Sequence, residues 1–156
     1  MSVSLPARFV TGCCLYQMTA LEVFIDGASK GNPGPSGIGV VICKDGRPVK
    51  NISSFIGNTT NNVAEYTALI FALQEALMLK AESIEVNTDS QLLHHQIKGI
   101  YKIKSGHLLG LYNQARHLIP AFKEFKIKHI SRENNCGADK LATKAIQQAI
   151  TKKVLL

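Results

Sequence analysis

The spacing of apolar and polar residues predicts nine elements of secondary structure after residue 20. Alternating apolar positions from Leu21 onward are typical of a half-buried strand, and this strand is predicted to end on Asp26, beside a glycine-rich turn that reaches Pro35. An Asp-Gly pair at 45–46 indicates a hairpin between the next two apolar runs. The predicted strands are 21–26, 37–43, 48–56, 83–88 and 124–130, and the predicted helices are 63–80, 90–97, 107–122 and 138–149.

The order of these elements predicts an α/β fold. Three strands in succession form an antiparallel meander, and the later strands are reached through helices, which predicts a five-stranded mixed sheet with helices on both faces. A chain of 156 residues fits one such domain, predicted here to span 21–150. Residues 1–20 are predicted to be a poorly ordered extension, with Met18 as an alternative start of the folded unit, and 151–156 a C-terminal tail.

The charge balance favours an anionic partner. Lys and Arg number 18 against 11 Asp and Glu, a formal net charge of +7. No apolar run is long enough to span a membrane, so no membrane partner is expected. The four cysteines show neither a disulfide framework nor paired metal-ligand spacing, which indicates a reducing compartment, and we expect a cytoplasmic protein.

Four carboxylates stand at or near the ends of predicted elements. Asp26 and Asp89 follow strands, Glu65 lies at the edge of the apolar face of a helix, and Asp139 opens the last helix. Taken singly, an Asp-Gly turn or a Glu favoured by the helix dipole accounts for such residues. If the first and fourth strands are neighbours, however, the four acids converge, and crowded carboxylates persist only with cations to neutralise them. Mg²⁺, which prefers oxygen ligands, fits such a cluster, and two ions could clamp a phosphoryl displacement.

Four segments together resemble type 1 ribonuclease H, the family that cuts the RNA strand of RNA–DNA hybrids. The resemblance runs from about Leu21 to Ala149 and is carried by DGASKGNPGPSGIGV, TTNNVAEY, VNTDSQ and ENNCGADKLA. It implies a ribonuclease H-like fold and a metal-dependent endonuclease that leaves 5′-phosphate and 3′-hydroxyl ends. It also implies two bound ions, Mg²⁺ or alternatively Mn²⁺, held by Asp26, Glu65, Asp89 and Asp139. In this assignment Asp26 is shared between the ions, Glu65 and Asp89 complete one site, and Asp139 completes the other.

The same resemblance implies a set of substrate-binding positions. Asn32, Asn61, Asn62 and Gln91 match positions that contact the minor groove of the hybrid, and amides suit this because they both donate and accept hydrogen bonds. Further implied contacts are Gly27, Ser29 and Gly31. The segment 99–106 is short and the chain has no Trp, so the basic protrusion of many bacterial members is missing. The chain therefore resembles the short form known in archaea and some bacteria.

Two residues before the last acid are candidates to assist turnover. Short-form members use an Arg seven positions before that acid, which Arg132 matches, whereas other members use a His, for which His129 has a suitable distance. We favour Arg132. His94, His95, His107 and His117 have no motif support and are interpreted as structural.

Other functions remain open at this stage. A nucleic-acid-binding module of the same fold without turnover is the main alternative, and a transposase, a resolvase or a domain of a reverse transcriptase are further ones. We expect a monomer with an RNA–DNA hybrid as its partner.

Overall fold

The computed structural model describes residues 17–155 and has the predicted order of elements. Most of the predicted extension, residues 1–16, lies outside the described residues. The strands are β1 Ala20–Ser29, β2 Gly34–Lys44, β3 Arg47–Thr59, β4 Ser83–Thr88 and β5 Glu124–His129, and the helices are α1 Asn61–Met78, α2 Gln91–Ile97, α3 Gly106–Leu118 and α4 Cys136–Val154. Short 3₁₀ turns cover Ile119–Ala121 and Arg132–Asn135.

The five strands form one mixed sheet in the order β3-β2-β1-β4-β5. β1, β2 and β3 are antiparallel to one another, while β4 runs parallel to both β1 and β5. The predicted fold class is therefore confirmed, and the first and fourth strands are neighbours, which is the condition under which the four acids converge.

Helices cover both faces of the sheet, as predicted. On one face, α1, α2 and α3 share a core with the strands, built around fully buried side chains such as Tyr66, Leu69 and Leu73. On the other face, α4 packs against β2, where a Cβ on Gly39 would overlap the carbonyl group of Ala138. Glycine is therefore required at residue 39 for α4 to approach the sheet.

Several element ends differ from the sequence predictions. β1 does not end on Asp26 but continues to Ser29, because β2 stays paired with it as far as Ser29 opposite Ser36. β3 likewise extends to Thr59, into the predicted loop. α3 ends at Leu118 rather than 122, since Pro120 lacks the backbone N–H that a continuing α-helix needs.

The last helix is longer than predicted. α4 begins at Cys136 and continues to Val154, so the predicted C-terminal tail is helical over 151–154. No Gly or Pro follows Ala149 to stop the helix. Among the described residues, no helix combines the length and the apolar character that a membrane span requires.

Candidate active site

An open cleft of about 540 Å³ lies at the C-terminal end of β4, beside Asp26 of β1. Its lining includes all four predicted metal ligands and both residues predicted to assist turnover, namely Asp26, Glu65, Asp89, His129, Arg132 and Asp139. Residues that are up to 113 positions apart in the chain (139 − 26) therefore share one cavity. The cleft is the candidate active site.

Parallel pairing of β1 with β4 brings Asp26 and Asp89 together. The ladder ends at Ile25 opposite Thr88, and each of these residues is followed at once by an aspartate. Asp26 and Asp89 therefore leave the same end of two adjacent strands. In β1 the backbone continues beyond Asp26, paired only with β2, so Asp26 is held by a strand rather than by a mobile turn.

The helices supply the other two acids. Thr60 caps the start of α1 by accepting a hydrogen bond from the backbone of Val63 at 3.3 Å, which fixes where Glu65 falls in the first turn and a half. Glu65 is buried because α1 packs against β1 at Gly27. Asp139 lies in the first turn of α4, where a carboxylate is favoured by the helix dipole.

The carboxylates lie close together. Asp26, Glu65 and Asp89 each offer an oxygen, and these three oxygens lie within 4.8 Å of one another. Asp139 is near enough for a hydrogen bond with Asp26. Asp139 also lies 3.6 Å from the Nη2 atom of Arg132.

This crowding changes the protonation of the cluster. Burial, the charges of Asp89 and Asp139 and the hydrogen bond with Asp139 raise the pKa of Asp26 to about 7, although Arg132 opposes the shift. Burial, followed by the charges of Asp26 and Asp89, raises the pKa of Glu65 well above its ordinary value. The Oε2 atom of Glu65 is also buried without a hydrogen-bond partner. An unpaired buried acceptor among like charges is suited to a cation, and an all-carboxylate set of donors suits Mg²⁺ or Mn²⁺.

His129, the last residue of β5, and Arg132, the first residue of the 3₁₀ turn before α4, both border the cleft. The Nε2 atom of His129 is 3.2 Å from the backbone carbonyl oxygen of Asp89, and its ring centroid is 6.0 Å from that of His94. The Arg132 side chain is 79% exposed and forms an ion pair with Asp139. Both residues are thus within reach of a molecule bound at the carboxylates.

The predicted substrate-binding residues divide between two neighbouring cavities. Gly27, Ser29 and Asn61 line the carboxylate cleft. Asn32 and Asn62 line a second cavity of similar size, about 540 Å³. The consecutive residues Asn61 and Asn62 therefore face two adjoining cavities. The two remaining positions, Gly31 and Gln91, line neither cavity: Gly31 is exposed in the turn between β1 and β2, and the Nε2 atom of Gln91 is 3.4 Å from the Tyr101 hydroxyl.

Hydrogen bonds tie together the two loops that carry these residues. The Oδ1 atom of Asn32 accepts a bond from the backbone N–H of Asn61 at 3.2 Å. The hydroxyls of Ser29 and Ser36 both donate to the carbonyl oxygen of Thr59, at 3.0 and 3.1 Å. The turn after β1 is therefore fixed to the segment that precedes α1.

The histidines interpreted as structural are not all remote from the site. On α2, the Nδ1 atoms of His94 and His95 are 3.2 Å apart, and burial, followed by the charges of His95, His129 and Lys98, lowers the pKa of His94. His107 lines the second cavity and His117 lies away from both cavities, on α3.

Sequence reasoning missed Asn135. Its side chain is buried, and its Nδ2 atom donates to the carbonyl oxygen of Ile25 at 2.8 Å. The local sequence gives no signal for this, because Asn134 and Asn135 are identical neighbours in a polar loop. Only the long-range contact with β1 separates them.

Comparison with known proteins gives a consistent result. Residues 24–145 match the family model described as "Reverse transcriptase-like". The chain is 39% identical over 130 residues to ribonuclease HI of Halobacterium salinarum, and the matched segment covers 83% of this chain and 65% of that protein. It is also 40% identical over 126 residues to the bifunctional protein Rv2228c of Mycobacterium tuberculosis, of which it covers 35%. The chain thus spans less than two thirds of these relatives.

Solved structures resemble most of the chain. The crystal structure of ribonuclease H1 from Halobacterium salinarum has a TM-score of 0.81 at 38% identity, covering 83% of this chain and 98% of that one. LC11 ribonuclease H1, isolated from compost and solved in complex with an RNA/DNA hybrid, has a TM-score of 0.79 at 40% identity, covering 83% and 99%.

Proposed function

This chain belongs to the type 1 ribonuclease H family, and on that premise we propose that it is an endonuclease that hydrolyses the RNA strand of RNA–DNA hybrids, leaving 5′-phosphate and 3′-hydroxyl ends. The observation that carries the proposal is the cluster of Asp26, Glu65 and Asp89, whose oxygens lie within 4.8 Å of one another in an open cleft. The chain has a formal net charge of +7, which favours association with a polyanion.

The residues fit a divalent metal cofactor. Glu65 has a buried oxygen with no partner, and the raised pKa of Asp26 reflects burial and, after it, repulsion from Asp89 and Asp139, both of which a cation would offset. We assign Asp26 to both of two Mg²⁺ sites, with Mn²⁺ as an alternative metal, Glu65 and Asp89 to one site, and Asp139 to the other. Divalent ions bound there supply Lewis-acid stabilisation of the scissile phosphate and activation of water.

The chain's own groups orient the substrate and handle charge around this centre. The backbone of β1 and the packed start of α1 hold Asp26 and Glu65 in fixed positions, which lowers the cost of aligning the reacting phosphate. We propose that Arg132, which pairs with Asp139, stabilises negative charge there, and that His129 transfers a proton at the rim of the cleft. Of the two, we propose that Arg132 contributes more to turnover.

Recognition of the hybrid is proposed to use both cavities. Asn61 faces the carboxylate cleft and Asn62 faces the second cavity, so these two residues form a ridge between the cavities. A duplex lying across this ridge would present one strand to each cavity. Side-chain amides at the ridge can read 2′-hydroxyls and base edges of a minor groove without requiring a sequence. The relative LC11 ribonuclease H1, solved with an RNA/DNA hybrid, supports this class of substrate.

All four carboxylates come from one chain, which supports a monomeric enzyme. Among the described residues the cysteines Cys43 and Cys136 are free, which supports the proposed reducing, cytoplasmic setting.

The experiment is cleavage of a hybrid whose RNA strand carries a label at one end. Wild type is compared with Asp26→Asn in Mg²⁺, in Mn²⁺ and in chelator. Single-stranded RNA, duplex RNA and duplex DNA are tested separately as alternative substrates. Metal-dependent cutting of only the hybrid RNA strand is the expected result. Binding of the hybrid without cutting would favour the non-catalytic module, and cutting of duplex DNA would favour a transposase or resolvase.

A further inference from the structure

Asn135 connects the two elements that carry Asp26 and Asp139. It is 1% exposed and ends the 3₁₀ turn that leads into α4. Its amide donates to the carbonyl oxygen of Ile25, the residue directly before Asp26 and the last residue of β1 that pairs with β4. Asp139 follows Asn135 by four residues, about one helical turn. One hydrogen bond therefore joins the strand next to one carboxylate with the helix start next to the other.

The side chain of Asn135 gives up local interactions to make this bond. Asn at the N-cap of a helix usually accepts a hydrogen bond from a backbone N–H of the first turn, yet Asn135 makes no such cap bond for α4. Its Oδ1 atom is buried with no partner. Only the donor side of the amide is satisfied, and it is satisfied by β1.

Attachment of α4 to the sheet has a separate basis. Ala138, Ala142 and Ala145 pack against Gly37 and Gly39 of β2, and this close contact holds the helix on its face of the sheet. The bond from Asn135 instead fixes the end of α4 relative to the residue before Asp26. Its effect is on the separation of the two acids rather than on whether the helix packs.

We propose that Asn135 is a positioning residue that sets the distance between Asp26 and Asp139, and thereby the affinity of the carboxylate cluster for its divalent ions. The inference rests on the proposed function for its meaning in catalysis, but metal binding tests it independently. Residues that orient metal ligands typically change metal affinity by about 10- to 100-fold when they are replaced.

The test compares Asn135→Leu with Asn134→Leu. Leu has nearly the shape of Asn but cannot donate, and at residue 135 it also removes the unpaired buried oxygen. Asn134 is exposed in the same turn and serves as the matched control. Mg²⁺ binding is measured by calorimetry without substrate, and kcat and KM are measured on a hybrid. Thermal unfolding in chelator reports folding separately.

We expect Asn135→Leu to fold, to bind Mg²⁺ about 10-fold or more weakly, and to lower kcat by about 10- to 100-fold with KM changed by less than about two-fold. Asn134→Leu should match wild type in folding, in Mg²⁺ affinity, in kcat and in KM. Metal affinity and kcat of a folded Asn135→Leu within about two-fold of the control would overturn the proposal.

Two further outcomes are informative. If Asn135→Leu does not fold, Asn135→Ala is used, and failure of both to fold would show a structural residue and overturn the proposal. If wild type binds Mg²⁺ tightly and Asn135→Leu weakly while neither cuts the hybrid, the proposed function fails and the positioning role stands.

Discussion

Gly27 lies directly against the backbone of Glu65. A Cβ added to Gly27 would overlap the nitrogen of Glu65 and the carbonyl group of Ala64. Gly27 is thus the position that lets α1 approach β1 closely enough to place the Glu65 carboxylate beside Asp26. A carboxylate oxygen of Asp26 lies within 4.8 Å of one of Glu65 because Gly27 has no side chain between β1 and α1.

Replacing Gly27 with Ala should therefore disrupt both packing and the site. The new Cβ meets backbone atoms that cannot rotate away, so we expect a loss of about 3 kcal/mol in the free energy of unfolding. Divalent metal binding should also weaken. Gly110→Ala in α3 is the matched control, since nothing lies within 4 Å of its Cβ and Ala favours a helix. Denaturant unfolding of the two variants checks the prediction, and equal stabilities would contradict it.

Without metal, the protein should lose stability as the pH rises from about 4 to about 7. The pKa of Asp26 is raised from an ordinary 3.8 to about 7. In this window the unfolded chain has released the proton that the folded protein still binds, so each step up in pH favours unfolding. The contribution of Asp26 alone is at most about 4 kcal/mol, from about 1.4 kcal/mol per pKa unit, and the raised pKa of Glu65 acts in the same direction. Thermal unfolding in chelator between pH 4 and 8 measures it, and a flat or rising profile would exclude the raised pKa.

Asp26→Asn should separate the fold from the chemistry. The amide keeps the shape of the carboxyl group but carries no charge, so it relieves repulsion and should raise the melting temperature in chelator at pH 8. Hybrid cleavage should fall by more than about 100-fold, since several kcal/mol of charge stabilisation are lost. Normal turnover in this variant would rule out Asp26 as a metal ligand.

Arg132→Ala should slow turnover more than His129→Ala. Arg132 contacts Asp139 at 3.6 Å, whereas His129 contacts the backbone carbonyl of Asp89. Because the Arg132 side chain is 79% exposed, its loss should change stability by less than about 1 kcal/mol. Single-turnover kinetics at saturating metal ranks the two variants. The opposite ranking would assign the assisting role to His129.

Asn32→Ala should weaken hybrid binding with little effect on the chemical step. Its Oδ1 atom accepts the backbone N–H of Asn61 and so joins the two loops that border the cavities. We expect KM for the hybrid to rise about 10-fold, the cost of one or two hydrogen bonds, with kcat nearly unchanged. Asn113→Ala, at an exposed residue of α3 away from both cavities, is the control. A fall in kcat at constant KM would place Asn32 in the chemistry instead.

The sequence by itself determined the order and type of the elements. Alternating residues in β1, helical spacing around Tyr66 and Leu69 in α1 and the Asp-Gly hairpin at 45–46 are local signals, and each was confirmed. The Asp45 and Gly46 backbones take positive φ angles of 52° and 74°, as the turn requires. The four acids could also be selected as candidate metal ligands, because each lies in one of the segments that resemble type 1 ribonuclease H.

Only the tertiary structure decided how these residues meet. Parallel pairing of Ile25 with Thr88 sets Asp26 beside Asp89. Pairing with β2 extends β1 to Ser29, beyond the end that the sequence predicted at Asp26. Asn135 differs from Asn134 only through its bond to Ile25, more than a hundred residues earlier in the chain. Propensity and periodicity depend on a residue's near neighbours, whereas distances within a site depend on contacts between distant segments. Such contacts form only when the whole sheet and its helices have packed.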